Sequence, residues 1–105
     1  MIFEFNKNDV CINPIEDIVK ADEYLYYAEV KVAEINGKWY RGGHIQYHNE
    51  GCGSPVTESF GPAYNTQKDA IKAGWKGHLA LLERILGPND KERKLYNLIK
   101  QKLEG

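Results

Sequence analysis

The chain has 105 residues, of which 42% are hydrophobic and 28% charged, and its formal net charge is -1. This length fits one domain with one modest core, and this composition excludes a chain that is mainly disordered. A net charge so close to zero provides no general attraction to nucleic acid or to acidic membranes.

The first twenty residues predict an edge strand followed by a short helix. Met1–Phe5 alternates only weakly, with Glu4 between Phe3 and Phe5, and we expect a short edge strand there. Asn13 precedes Pro14, and Glu16 stands three residues after Asn13. These are the residue types of an N-cap, a first helical position and a capping box. We therefore expect a helix over Pro14–Lys20.

The strongest local pattern is the pair Asn36-Gly37, which stands between two alternating segments rich in aromatic and β-branched residues. Asn and Gly tolerate the positive φ angles of a two-residue turn, so the sequence predicts a β-hairpin with strands Tyr24–Ile35 and Lys38–Tyr47. Period-two alternation assigns one face of each strand to the core. The opposite face then carries Tyr27, Tyr40 and His44.

The second half of the chain predicts one more strand and two helices. Residues 48–55 are rich in Asn and Gly and predict a loop, and Val56–Phe60 predicts a short third strand. Thr66 and Asn89 are good N-caps, so we expect a main helix over Gln67–Leu86 and a last helix within residues 89–104. The apolar stripe of the last helix is narrow, which makes this helix a candidate for a peripheral element.

Together these elements predict a single α+β domain spanning residues 1–105, in the order αβββαα. An antiparallel sheet of three or four strands packs on one long helix, with a short helix before the sheet and an extra helix at the C-terminus. The expected core consists of Tyr26, Val30, Val32, Trp39, Ile45, Ile71, Trp75, Leu82 and Ile85.

Exposed aromatic and aliphatic side chains make protein binding the favoured function. An aromatic ring on a sheet face offers contact area at little entropic cost, and an amphipathic helix is stable only when its apolar stripe docks on something. We therefore expect a non-enzymatic protein-interaction module, without a catalytic residue, cofactor or metal, whose partner is another protein or a second copy of itself. The candidate binding residues are Tyr27, Tyr40, His44, Leu95, Leu98 and Ile99.

A metal- or thiol-dependent site is one alternative. His44, His48 and Cys52 are spaced four residues apart, and two imidazoles with a thiolate are good zinc ligands. Residues four apart on an extended strand are separated by roughly 13 Å, so the chain would have to fold back to bring the three together.

Nucleic-acid binding is the other alternative. The order α-β-β-β-α over residues 13–86 resembles that of the double-stranded-RNA-binding domain. The resemblance implies that the second helix opens with lysines that grip phosphates, and Lys68, Lys72 and Lys76 stand at the matching positions. The layout also resembles the small β-β-β-α proteins of phages, plasmids and integrons, which implies that a mobile element carries this chain.

The N-terminus and the cysteines favour the cytoplasm. Ile2 and Phe3 are followed at once by Glu4, so no apolar signal segment forms, and no apolar run reaches the roughly 18 residues of a membrane span. Two cysteines, Cys11 and Cys52, are too few for a disulfide framework and predict free thiols in a reducing compartment.

Overall fold

A computed structural model describes residues 2–22, 25–48, 50–85, 87 and 89–104 of the chain. Within these residues, strands come first and helices follow: β1 is Ile15–Lys20, β2 is Tyr27–Ile35, β3 is Lys38–Tyr47, β4 is Glu50–Ser54, α1 is Gln67–Ile85 and α2 is Asp90–Glu104, with a 3₁₀ turn at Glu58–Phe60. The strands form one antiparallel sheet in the order β1-β2-β3-β4. The α+β class is therefore confirmed. Met1, Tyr24 and Leu86, where three predicted elements begin or end, lie outside the described residues.

The predicted hairpin between β2 and β3 is confirmed. Asn36 and Gly37 have φ angles of 53° and 82°, and Ile35 pairs with Lys38 on either side of them. Both positive φ angles are those that a two-residue turn requires, which is why Asn and Gly stand there. The turn fixes the register of the whole hairpin, and with it the residues that face the core.

The main core lies on one face of the sheet, beneath both helices. The side chains that fill it include all of the expected core, six of them buried and Trp39, Ile71 and Ile85 partly buried. Helix α1 lies close to the sheet because Gly74 faces Val30, where a Cβ atom would stand 2.5 Å from the nearest valine methyl. The absence of a side chain at this position therefore sets the distance between α1 and β2.

Helix α2 belongs to this core. Leu95 and Ile99 are 0% exposed, although sequence analysis placed this helix at the periphery. The Asp17 carboxylate links β1 to both helices. Trp75 Nε1 of α1 donates a hydrogen bond to it at 3.0 Å, and Lys102 Nζ of α2 donates one at 2.7 Å. Neither helix among the described residues combines the length and the apolar character of a membrane span.

The predicted helix over Pro14–Lys20 is wrong, because this segment forms β1. Ile15 and Val19 lie on one face of β1 and pair with Val32 and Ala28 of β2, so tertiary pairing outweighs the local helix pattern. Asn13, the predicted N-cap, does not cap a helix. Its Oδ1 accepts a hydrogen bond from the Glu4 backbone N–H at 2.6 Å. The order αβββαα therefore becomes ββββαα.

The third predicted strand is also misplaced. The chain forms β4 within the segment 48–55 that was expected to be a loop. Val56–Phe60 contributes only an isolated bridge between Thr57 and Val10 and the 3₁₀ turn.

A smaller apolar cluster covers part of the sheet's second face. Cys11 and Val56 pack there on Ala33 and Tyr40, with Phe3 beside them. The N-terminal segment therefore lies over the hairpin end of this face. It leaves uncovered the end that carries Tyr27 and His44.

Candidate functional site

Strand β4 leaves one edge of the sheet open. All five of its residues are exposed, and its inner side pairs with β3 over Gly43–Tyr47. No described residue pairs with its outer side. An unpaired edge presents backbone N–H and C=O groups that another strand can bind. We call the outer side of Glu50–Ser54 the open edge.

The opposite edge of the sheet is better protected. Strand β1 carries Glu16, Asp17 and Lys20 among its six residues, and α2 contacts it. Charged side chains and a covering helix are the usual means by which proteins protect a sheet edge. Strand β4 has only Glu50, at its first position.

Side chains from β3 explain the glycines of β4. A Cβ atom at Gly51 would lie 2.4 Å from Gln46 Oε1, and one at Gly53 would lie 2.8 Å from His44 Nδ1. The His44 ring therefore rests on the backbone of β4, held by a 3.1 Å hydrogen bond between its Nε2 and Gln46 Oε1. Because side chains alternate along a strand, Cys52 points to the opposite face, toward α1.

A shallow hollow flanks the open edge on the second face of the sheet. Tyr27 and His44 lie together in it, with ring centroids 5.7 Å apart and ring planes at 34°. Lys31 Nζ lies 3.3 Å from a Glu29 carboxylate oxygen at its floor. We call this feature the aromatic hollow. It offers a ring surface beside charged groups that already neutralise each other.

A groove flanks the open edge on the helix face, between β4 and α1. Arg41, His78, Leu81 and Arg84 line it, together with Cys52 and Ser54 of β4. We call it the arginine groove. Neither arginine has a carboxylate partner among the described residues.

The histidine of this groove is held neutral. His78 Nε2 donates to the Glu29 carbonyl oxygen at 2.8 Å, which fixes the ring proton on Nε2. Burial, and to a lesser degree the charge of Arg41, lowers the pKa of His78 below 6.5. Arg41 and Arg84 therefore supply the positive charge of the groove at neutral pH.

Two of the six predicted binding residues, Tyr27 and His44, share a surface, which is the aromatic hollow. Tyr40 is buried beneath the N-terminal segment. Leu95 and Ile99 are buried in the main core, and Leu98 is partly buried against it. The structure therefore places four of these residues within the fold, and the last helix does not present its apolar stripe to a partner.

The side chains of the alternative metal or thiol site lie in three different places. His44 rests on the second face, Cys52 points to the helix face, and His48 turns toward Tyr26 and Glu92. Among the described residues, no group of three or more His, Cys, Asp or Glu side chains is arranged to hold a metal ion.

His48 belongs to a polar network that fastens the start of α2. A 2.8 Å hydrogen bond joins its Nδ1 to the Tyr26 hydroxyl, and its Nε2 contacts the Glu92 carboxylate, which is 2% exposed. Asn89 caps α2 through the Glu92 backbone N–H and also donates to the Tyr26 hydroxyl. Sequence reasoning missed this network because His48, with a φ of 52°, leaves the alternation of β3.

The lysines of the nucleic-acid alternative lie apart from the open edge. Lys68 and Lys72 border a cavity of about 570 Å³, which lies between the start of α1 and the end of α2. The Asp17 carboxylate in this cavity is already bound by Trp75 and Lys102. The order of elements also differs from that of the double-stranded-RNA-binding domain, because β1 stands where that domain has its first helix.

Comparisons with protein-family models, with curated proteins and with solved structures find no match to this chain.

Proposed function

We propose that this protein is a non-enzymatic protein-interaction module that binds its partner by adding a strand to β4. The observation that carries this function is the open edge, a strand of five exposed residues with a single charge at its first position. Strand addition is a common mode of peptide recognition, in which backbone hydrogen bonds supply affinity and alternate side chains supply specificity.

The surroundings of the open edge suit this mode. An added strand would direct alternate side chains to opposite faces of the sheet. One set would reach the aromatic hollow with Tyr27 and His44, and the other would reach the arginine groove. The two features therefore act as side-chain sites on either side of one backbone site.

The length of β4 limits what the backbone can contribute. Five residues offer about five outward hydrogen bonds, each worth about 0.5–1.5 kcal/mol net. The ordering of two chains opposes this gain by a similar amount or more. Contacts in the aromatic hollow and the arginine groove must therefore decide which partner binds.

We place this module in the cytoplasm. Cys52 is a free, exposed thiol on the open edge, and free thiols persist in a reducing compartment. Thiol labelling in intact cells of the source organism would test this location. A Cys52 thiol that is already oxidised in those cells, and therefore takes up no label, would contradict it.

Peptide selection against the full chain tests the strand-adding function. We expect selected peptides to be extended and to slow amide hydrogen exchange in β4. Cys52→Lys places a charge on the open edge and should abolish binding, whereas the matched variant Cys52→Ser should keep it. Peptides that bind both variants equally, or that protect amides elsewhere, would refute the function.

A further inference from the structure

The arginine groove is built to receive an anionic group. Arg41 is held in place by its own Nε, which donates to the Tyr64 hydroxyl at 3.2 Å. Its guanidinium lies against α1 at Gly77, where a Cβ atom would stand 3.6 Å from Nη1. Arg84 lines the same groove. A guanidinium positioned in this way binds a carboxylate with little further ordering.

The open edge carries an acid that fits this groove. Glu50 is exposed at the first position of β4 and has no cationic partner among the described residues. The arginine groove lies beside Cys52 and Ser54, in the second half of the strand. One end of β4 is therefore acidic, and the other end lies beside two arginines without a carboxylate partner in the part of the chain that the structure describes.

We propose, on the basis of the strand-adding function proposed above, that the partner of β4 is the β4 of a second copy, paired antiparallel across a two-fold axis. The register that pairs all five residues places Cys52 opposite Cys52, Gly51 opposite Gly53 and Glu50 opposite Ser54. Each copy's Glu50 then lies beside the other copy's arginine groove.

Symmetry and charge favour a second copy over an unrelated strand. The contact is self-complementary, so one acid–arginine match is made twice and the assembly closes as a dimer. No like charges face each other in this register, because Glu50 is the one charged residue of β4. The two sheets join into one sheet of eight strands, and both open edges disappear.

A charge exchange tests this pairing in the full chain. Glu50→Arg and Arg84→Glu each replace attraction by repulsion at two symmetric places, so each should weaken dimerisation about 3- to 30-fold. The double variant E50R/R84E should restore dimerisation to near the parent level. Both residues are exposed, and circular dichroism will confirm that each variant folds. Sedimentation equilibrium from micromolar to millimolar chain measures the dissociation constant.

Cys52 provides a second measurement. Residues paired in an antiparallel ladder have Cα atoms about 4.5 or 5.5 Å apart, which lies within the span of a disulfide. A mild thiol oxidant should therefore link the parent chain into a covalent dimer. The Cys52→Ser control should stay unlinked, although it still contains Cys11, which is buried.

The outcomes separate this pairing from the function on which it depends. A parent chain that stays monomeric while selected peptides protect β4 overturns the second copy and leaves strand addition standing. A monomeric parent whose β4 binds acidic peptides better than basic ones assigns the groove to a different acidic partner. A dimer that Cys52→Lys does not weaken forms through another surface and overturns the β4 pairing, whereas strand addition is overturned only if selected peptides bind Cys52→Lys and Cys52→Ser equally well. Single charge variants that dimerise like the parent, or a double variant weaker than either, overturn the proposed register.

Discussion

Replacing Gly74 by alanine should push α1 away from the sheet. The new Cβ atom would stand 2.5, 2.8 and 3.2 Å from three atoms of the Val30 side chain, which is fully buried and cannot move aside freely. Overpacking of this kind costs about 1–3 kcal/mol. Alanine also gains about 1 kcal/mol of helix propensity over glycine, so the net loss of stability should be about 0–2 kcal/mol.

Gly77→Ala is the matched control, because the same change is made one turn further along α1. Its Cβ atom would meet only Arg41, at 3.6 Å, which is an ordinary contact. This variant should be more stable than the parent by about 1 kcal/mol. The difference between the two variants, about 1–3 kcal/mol, then measures the overpacking at Val30 alone.

Urea unfolding followed by circular dichroism measures both variants. The slope of the unfolding free energy against urea concentration should be the same for both variants and the parent, so that the midpoints report stability directly. The Val30→Ala background supplies a further check, because removal of the two methyl groups makes room for the new Cβ atom and Gly74→Ala should then cost less. If Gly74→Ala and Gly77→Ala unfold at the same urea concentration, the close approach of α1 to β2 is refuted.

Two further predictions concern buried polar contacts. Trp75→Ala should cost about 3–5 kcal/mol. Trp75→Phe should cost less, because a six-membered ring still fills most of the site, although the hydrogen bond to Asp17 and part of the packing are lost. A Trp75→Ala variant that melts with the parent contradicts the core assignment. His78 has a lowered pKa in the folded state, so the unfolded chain binds more protons below 6.5. Its contribution to stability is complete above pH 6.5 and falls as the pH drops toward the folded pKa. Urea unfolding from pH 8 to about pH 5 should therefore show a steeper loss for the parent than for His78→Gln; equal slopes would contradict the buried, neutral ring.

The hairpin and both long helices could be predicted from the sequence because local chemistry determines them. Asn36-Gly37 needs no distant contact to adopt its turn, and its register then assigns Val30 and Val32 to the core. Helix α1 begins directly after Thr66, whose hydroxyl accepts a hydrogen bond from the Asp69 backbone N–H at 3.1 Å. In these places the local preference and the tertiary fold agree.

Strands β1 and β4 could not be predicted because tertiary contacts, and not local sequence preferences, make these segments form strands. The segment Ile15–Lys20 has a helix cap before it, but Asn13 bonds the N-terminal segment and the strand pairs with β2. Glu50–Ser54 has two glycines in five residues, which is unfavourable for a strand. Those glycines are explained only once the positions of the His44 and Gln46 side chains are known.

The candidate site was half predicted for the same reason. Alternation correctly brought Tyr27 and His44 to one face, and their rings lie together there. Alternation carries no information about what covers a face, so it could not show that the N-terminal segment covers Tyr40 or that α2 buries Leu95. The open edge went unnoticed because it depends on a strand that the sequence did not reveal.

The way in which His44 lies over β4 restricts how evolution can alter this strand. Positions 51 and 53 have no room for a side chain while the imidazole and the Gln46 amide occupy that space. Mutations that add or enlarge a side chain along the open edge are therefore confined to positions 50, 52 and 54, whose side chains lie on the helix face of the sheet. A lineage that lost the proposed strand addition through a change in β4 would have to change one of those three positions, or else replace His44.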